Sequence, residues 1–449
     1  MSSPEPDLDL PATRARFVVA AWLCGLSGIL YLDRICMGQA VVPIQKELGL
    51  SNSEMSYVLM SFTLAYGLFA VPVGRAGDKS GPRSVLASIV LAWSLFTALT
   101  GAATGLLSLL LVRFLFGAAE AGAFPNAAKV MARWFPPSER GRVQGVMLAF
   151  SQLGAVAAPA ATAYLIDLAG WRLAFFVYGF IGVAWAVGFW FWFRNDPATH
   201  RGVNESELAR IRTQDTPEDA AAQADPGPVP WGAVLTNHGV IVLSAIMVFG
   251  AFYTYFFYSW FQKYLKAARN IENVEAGNLT SLVMAGSAVG MLFGGWLADK
   301  LSKRANPVRA RRYLGVTCYL TAAGCLFFGI RQDDALALAA LWGASFCAMH
   351  VTLPNWWSCA IPQCGRHTAT IFGLMNGLGV FGAMASQFFV GWFTDRQEQL
   401  HGLTGRVAWD PMFDVYVGVL VCNAVAWWLY RFTPLPEPPA PTVPEDGVC

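Results

Sequence analysis

The residues of this chain that could do chemistry are few, and they sit where charge is costly. Arg113 and Glu120 stand seven positions apart in RFLFGAAEAGAFP, an otherwise apolar, small-residue run. Asp33 and Arg34 are neighbours in YLDRICMGQAVVP. Seven helical residues make about two turns, so Arg113 and Glu120 share a face at a separation of about 10 Å along the axis. That is beyond the reach of a pair within one helix, and each is expected to serve a different partner along one wall. Adjacent residues lie about 100° apart around a helix, so Asp33 and Arg34 cannot point the same way. Arginine keeps its charge out of water and grips a carboxylate with a two-pronged fork. A carboxylic acid withdrawn from water gains and loses protons nearer neutrality than one in solution. An anion site beside a titratable acid is the chemistry of a carrier that couples an anion to protons. Ion pairs between helices, for instance Asp33 with Arg113, are the structural alternative.

These charges need elements that can hold them in a bilayer. The chain is 55% hydrophobic and only 13% charged, with 17 Trp and 31 Phe, whereas soluble domains carry about a quarter charged residues. Each ion at a membrane-helix centre costs about 2.5–3.5 kcal/mol, so each must face a polar cavity or a partner. About twenty apolar residues cross a bilayer as a helix. Twelve such stretches are present, near 16–43, 54–74, 84–103, 106–130, 142–165 and 172–193, then 239–262, 278–298, 313–330, 335–358, 369–392 and 411–431. The fold class expected is an all-α membrane protein of two pseudo-symmetric six-helix bundles, 16–193 and 239–431. A polar linker (194–238) joins them, and tails (1–15 and 432–449) flank them. Lysine and arginine concentrate in alternate loops, on the side that carries both termini and the linker, which predicts that this side is cytoplasmic. The first residues, MSSPEPDLDLPATRA, are acidic, unlike a cleaved signal peptide.

Several function classes fall away. A net charge of +2 leaves no basic face for nucleic acid. The nine cysteines are scattered without a C-x-x-C pair, and no metal or other cofactor is expected. Nothing resembles a nucleophile triad, so the chain is not expected to be an enzyme.

An internal repeat narrows the reading. GRAGDKSGPR (Gly74 to Arg83) follows the second stretch and GWLADKLSKR (Gly295 to Arg304) follows the eighth. Glycine lets helix ends approach closely, and an aspartate ahead of the next helix is favoured by that helix's positive end. These decapeptides resemble the hallmark loop of the major facilitator superfamily, with Ser302 where glycine is usual. The resemblance implies two bundles around a central site opened alternately to each side. It also makes Gly74, Asp78, Lys79, Arg83, Asp299, Lys300 and Arg304 candidate cytoplasmic gate residues. YLDR, the pattern R-x-L-x-G-x-x-E-A-x-x-F-P in the fourth stretch and the following WFPPSERGR are similar to the anion:cation symporter family, which includes bacterial sugar-acid symporters, sialin and vesicular glutamate carriers. That resemblance implies proton-coupled import of a small organic anion such as a sugar acid across the inner (plasma) membrane, by a protein expected to be monomeric. Asp33 and Glu120 would take the protons, and Arg113 with Arg34 would hold the carboxylate.

The same resemblance suggests Tyr31, Tyr66, Gln152 and Asn376 as substrate contacts, with Trp356 and Ser358 as weaker candidates. For each, helix packing is the plain alternative. YFFYSWFQKYL (Tyr255 to Leu265) is an aromatic stripe, for which packing is the commoner role, so Tyr258 and the preceding Tyr253 are weak candidates. Gln262 and Lys263 depart from the family's apolar pattern there. His350 is expected to be a hydrogen-bonded structural residue. Competing functions are an exporter of lipophilic drugs, an antiporter of organic anions or phosphate esters, and a transporter-like receptor.

Overall fold

The computed structural model describes residues 11–212, 229–303 and 306–435. Every regular element among them is helical. The twelve long helices are α1 (Ala15–Leu48), α2 (Asn52–Ser80), α3 (Pro82–Gly101), α4 (Leu106–Trp134), α5 (137–169), α6 (171–192), α7 (His238–Ser259), α8 (Asn273–Ser302), α9 (Pro307–Gly329), α10 (Ala335–Cys364), α11 (Thr368–His401) and α12 (Met412–Leu429). Among the described residues, ten segments are long and apolar enough to cross a membrane by composition. One of them, Pro137–Trp192, is a hairpin that supplies both α5 and α6. At Gly170 the backbone turns to φ 79°, ψ 164°, a region open to glycine. Met147 of α5 and Trp185 of α6 consequently both reach the same part of α1: Ser27 Oγ donates to the Met147 carbonyl at 2.8 Å, and Trp185 Nε1 donates to the Trp22 carbonyl at 3.1 Å. α9 is long enough to span, but Arg309, Arg311 and Arg312 load its first turns with charge.

Two expected spans are interrupted. α4 breaks at residues 121–122 and resumes at Ala123. Pro125 explains this, because its ring lacks an N–H and collides with the carbonyl four residues back, that of Ala121. Glu120 thereby ends the first segment of α4. α7 ends at Ser259, and a separate short helix, Phe261–Arg269, follows. Gln262 and Lys263 lie on that short helix, beyond the span predicted to contain Gln262.

The two halves of the chain meet along two antiparallel seams. In the α2–α11 seam Ser56 Oγ donates to the Gln387 carbonyl at 2.9 Å, and Thr63 Oγ1 donates to Gln387 Oε1 at 3.0 Å. In the α5–α8 seam Asn273 Nδ2 donates to the Ala163 carbonyl at 3.0 Å, and Ser287 Oγ donates to Gln152 Oε1 at 2.9 Å. Both seams start at the side away from the termini and end mid-molecule. On α2 and α11 the last close approach is Gly67 against Val380. One turn nearer the termini, Val71 is 61% exposed and Asn376 is exposed. The halves are therefore zipped on the far side and apart on the terminal side.

Candidate functional site

Between the halves, a small cavity is lined by Arg34, Met37 and Gly38 of α1, Leu59 and Phe62 of α2 and Arg113 of α4. Tyr255, Tyr258 and Ser259 of α7 and Gln387 of α11 complete it. Glu120 of α4 pairs with Arg34 of α1 and not with Arg113 of its own helix. Arg34 Nε donates to Glu120 Oε1 at 3.0 Å and its Nη2 donates to the same oxygen. The other carboxylate oxygen, Oε2, is buried without a hydrogen-bond partner. Arg34 also lies over the rings of Tyr66, Tyr31 and Phe62, at 4.8, 5.3 and 5.5 Å. This is an aromatic cradle for a guanidinium.

Arg113 is different. It is 1% exposed, and its Nε and Nη1 have no hydrogen-bond partner. Its guanidinium lies 4.3 Å from the Phe116 ring and 5.3 Å from Phe62. Among the described residues no carboxylate stands within 4 Å of it, so the alternative pair with Asp33 is not formed. Asp33 reaches toward α3: its Oδ2 accepts from Trp93 Nε1 at 3.1 Å, and its Oδ1 has no partner. A buried arginine with idle donors, on a cavity shared with a second arginine, has the chemistry to accept an anion.

The remaining sequence candidates divide. Tyr31 and Tyr66 join the site through Arg34. Gln152 is spent in the seam with Ser287. Asn376 is exposed on the α11 face that looks toward α2, beyond the point where the seam opens. Trp356 and Ser358 are turned elsewhere. Trp356 Nε1 donates to the Leu243 carbonyl at 2.9 Å, and Ser358 Oγ donates to the Pro354 carbonyl at 3.0 Å, so both serve packing within the second half. Tyr253 is likewise internal, with its hydroxyl 2.6 Å from Ser345 Oγ, whereas Tyr258 lines the cavity. His350 Nδ1 lies 2.8 Å from the Phe346 carbonyl.

Of the gate candidates, Gly74 packs on Pro125. Arg83 donates to the Trp190 carbonyl and Lys300 sits 4.9 Å from the Trp296 ring. These contacts stay within one half, as expected where the halves are apart. Asp299 belongs to the same terminal end of α8. The side chains of Asp78 and Lys79, and the whole of Arg304, lie outside the described residues. Phe62 and Gln387 are not among the sequence candidates, and Tyr255 and Ser259 stand there only within the stretch YFFYSWFQKYL. For Gln387 the available signal is a lone amide in the apolar run ASQFFVGW.

A family model described as Major Facilitator Superfamily matches residues 23–387. The chain belongs to the Major Facilitator Superfamily. It is accordingly a multi-pass membrane transporter rather than an enzyme. Among its relatives, the "Probable sulfoacetate transporter" of Cupriavidus necator is 30% identical over 387 residues, covering 85% of this chain and 88% of the relative. The "D-galactonate transporter" of Escherichia coli is 27% identical, covering 83% and 89%. The "Probable galactarate/D-glucarate transporter" of Bacillus subtilis is 26% identical, covering 94% and 93%. In structure, the chain is similar to a bacterial homologue of the human lysosomal transporter Spinster in an inward-facing, unoccupied conformation. That match has TM-score 0.71 and 19% identity and covers 92% of this chain and 94% of the other. A D-xylose-proton symporter matches with TM-score 0.68 and 13% identity, covering 94% and 98%. At such identities the structures speak for the superfamily fold alone.

Proposed function

We propose that this protein is a secondary transporter that imports a small organic anion, of the sugar-acid or short sulfonate kind, together with protons. The observation that carries the reading is the Arg34–Glu120 pair beside the idle donors of Arg113. An entering carboxylate or sulfonate takes Arg113. Arg34 is held by Glu120, and the anion competes with that carboxylate for it. A proton on Glu120 removes the competing charge and releases Arg34 to the anion, so anion and proton bind together. The relatives named for sulfoacetate, galactonate and galactarate or glucarate support the anion class. Two arginines on the cavity argue against a lipophilic drug as cargo. With the terminal side assigned to the cytoplasm by its lysines and arginines, the conformation described is open to the cytoplasm. The first half would run over 16–193 and the second over 239–431, acting as a monomer in the inner membrane.

The test is uptake into proteoliposomes of sulfoacetate, D-galactonate and D-glucarate, with and without an inside-alkaline pH gradient. Accumulation is expected only with the gradient. Glu120→Gln is expected to abolish accumulation while retaining exchange of labelled for unlabelled anion. Uptake that ignores the gradient refutes proton coupling.

A further inference from the structure

The far-side seal contains a cation that the central site does not use. Lys263, on the short helix after α7 in the second half, donates from Nζ to Gln45 Oε1 at the end of α1 and to Asn52 Oδ1 at the start of α2. Both acceptors belong to the first half, and both are neutral amide oxygens. The nearby carboxylate, Asp395 of α11, is already spent. Its Oδ1 accepts from Asn52 N at 3.0 Å and its Oδ2 from Ser53 N at 2.7 Å, capping α2. Glu398, one turn further along α11, is exposed, and Lys46 and Glu47 end α1 alongside. Lys263 makes no ion pair within 4 Å among the described residues. A bond built for strength would join a cation to a carboxylate. This one joins a cation to two oxygens that leave when the halves part.

We infer that Lys263 is the first contact of the transported anion on the far side, exchanging its cradle of Gln45 and Asn52 for the anion as the gate opens. The inference rests on the proposed anion transport and extends it to the entry route. Opening carries Gln45 and Asn52 away with the first half and leaves the ammonium at the mouth of the passage. A lone lysine suits capture, since a point charge on a flexible stem needs no fixed approach and raises the encounter rate of an oppositely charged solute. The route continues inward. Gly38 lies two turns below Gln45 on α1, and Arg34 lies eleven residues below it, about 16 Å along the axis. Tyr258 and Ser259, just before the short helix, line the cavity. The anion would pass from Lys263 to Arg34 and Arg113 without crossing a charge-free stretch longer than a few turns.

The experiment uses sulfoacetate as probe and the full-length chain in proteoliposomes. In Lys263→Gln, KM for uptake from the far side is expected to rise about three- to tenfold at low ionic strength, with the maximal rate within about twofold. The difference shrinks in high salt, and Lys263→Arg restores the KM. An unchanged KM at low salt overturns the proposal, as does an Arg variant as impaired as the Gln variant. A second arm does not depend on transport. Val41, one turn below Gln45 and fully buried, becomes accessible only when the far side opens. Sulfoacetate is expected to speed labelling of the V41C variant by an impermeant maleimide, and to lose that effect in V41C/K263Q. Equal acceleration in both backgrounds, or none in V41C alone, refutes the role of Lys263. Absence of uptake by the unsubstituted protein, with labelling as expected, refutes the transport reading instead.

Discussion

Replacing Gly38 with alanine tests how the far side closes. Gly38 of α1 meets α7 of the other half so closely that an added Cβ would lie 2.3 Å from the Tyr258 carbonyl oxygen, 3.2 Å from its carbon and 3.4 Å from Ser259 Cα. A carbon and a carbonyl oxygen normally rest at about 3.3–3.6 Å, so α1 and α7 must part by about 1 Å. All three obstructing atoms are backbone, and no side-chain rotation relieves them. Overpacking of this kind costs about 1–3 kcal/mol. The contact joins the two halves, so the penalty falls on the state with the far side shut. The ratio of shut to open should therefore drop by about 5- to 150-fold. The assay is electron–electron distance measurement between spin labels at Lys46 and Arg396, which lie on the far side in different halves and are exposed. Gly38→Ala should enlarge the long-distance population. Gly154→Ala is the control: its Cβ would lie 2.4 Å from the Gly28 carbonyl oxygen. That clash is inside the first half, so it should lower thermal stability without moving the distance distribution. An unchanged distribution in Gly38→Ala would refute the far-side seal described above.

Three further outcomes are expected. Arg113→Ala should weaken sulfoacetate binding about 10- to 150-fold in calorimetry, the loss of a hydrogen-bonded charge contact worth about 1.5–3 kcal/mol, without lowering Tm, because the donors at Nε and Nη1 have no protein partner. Arg16→Ala should lower Tm strongly. It removes the ion-pair partner of buried Glu207, bonded at 3.0 Å, and one of the two arginines on Glu139, at 2.9 Å, and breaking such a buried pair costs about 3–5 kcal/mol; an unchanged Tm would count against the clasp between α1, α5 and the linker. Far-side gating should also depend on alkaline pH through Lys263. Burial pushes its ammonium from 10.5 down to about 8 in the shut gate, whereas the hydrated ammonium of the open gate sits near 10.4. Closing thus releases a proton between those values: below about pH 8 the gate is indifferent, and above it the shut state gains. Labelling of the V41C variant relative to V41C/K263Q, which shares the rise in thiolate, should fall from pH 8 toward pH 10, and a ratio that stays constant would assign the effect to another group.

The fold was legible because hydrophobic length and the repeated decapeptide are properties of the chain alone. The twelve stretches coincide with twelve helices, and the glycine that turns α5 into α6 lies between two of them. The break in α4 was also written, in Pro125, but it needed the carbonyl four residues back to be considered. The site was legible only in part. A charge in an apolar helix announces that it needs a partner and says nothing about which helix supplies it. Spacing showed that Arg113 and Glu120 do not serve each other, and only the packing of α1 on α4 assigns Glu120 to Arg34. Gln152 and Trp356 illustrate the same limit, since a buried amide or indole satisfied by Ser287 or by the Leu243 carbonyl looks, in sequence, like one aimed at a ligand. Tyr255 and Tyr258 lie in one aromatic stripe with Tyr253, and the stripe's rotation about its own axis decides which rings reach the cavity.

The two acids proposed to take protons do not occupy equivalent places, and that difference orders their roles. Glu120 touches Arg34, so its charge and the anion's compete for one guanidinium. Its protonation acts on binding directly. Asp33 forms no ion pair with either arginine and is held instead by the Trp93 indole of α3, to one side of the cavity-lining face of α1. Asp33 and Arg34 are nonetheless consecutive residues of one helix, fixed about 100° apart. Any rotation of α1 that carries Arg34 from Glu120 toward an anion must move Asp33 against Trp93. Asp33 therefore acts on the anion site without touching it, through the position of α1 and through its charge near Arg113 and Glu120. On the proposed mechanism, Glu120 would set whether the anion binds, and Asp33 would set how freely α1 responds once it has bound. A carrier needs both if binding is to be tied to the movement of its two halves.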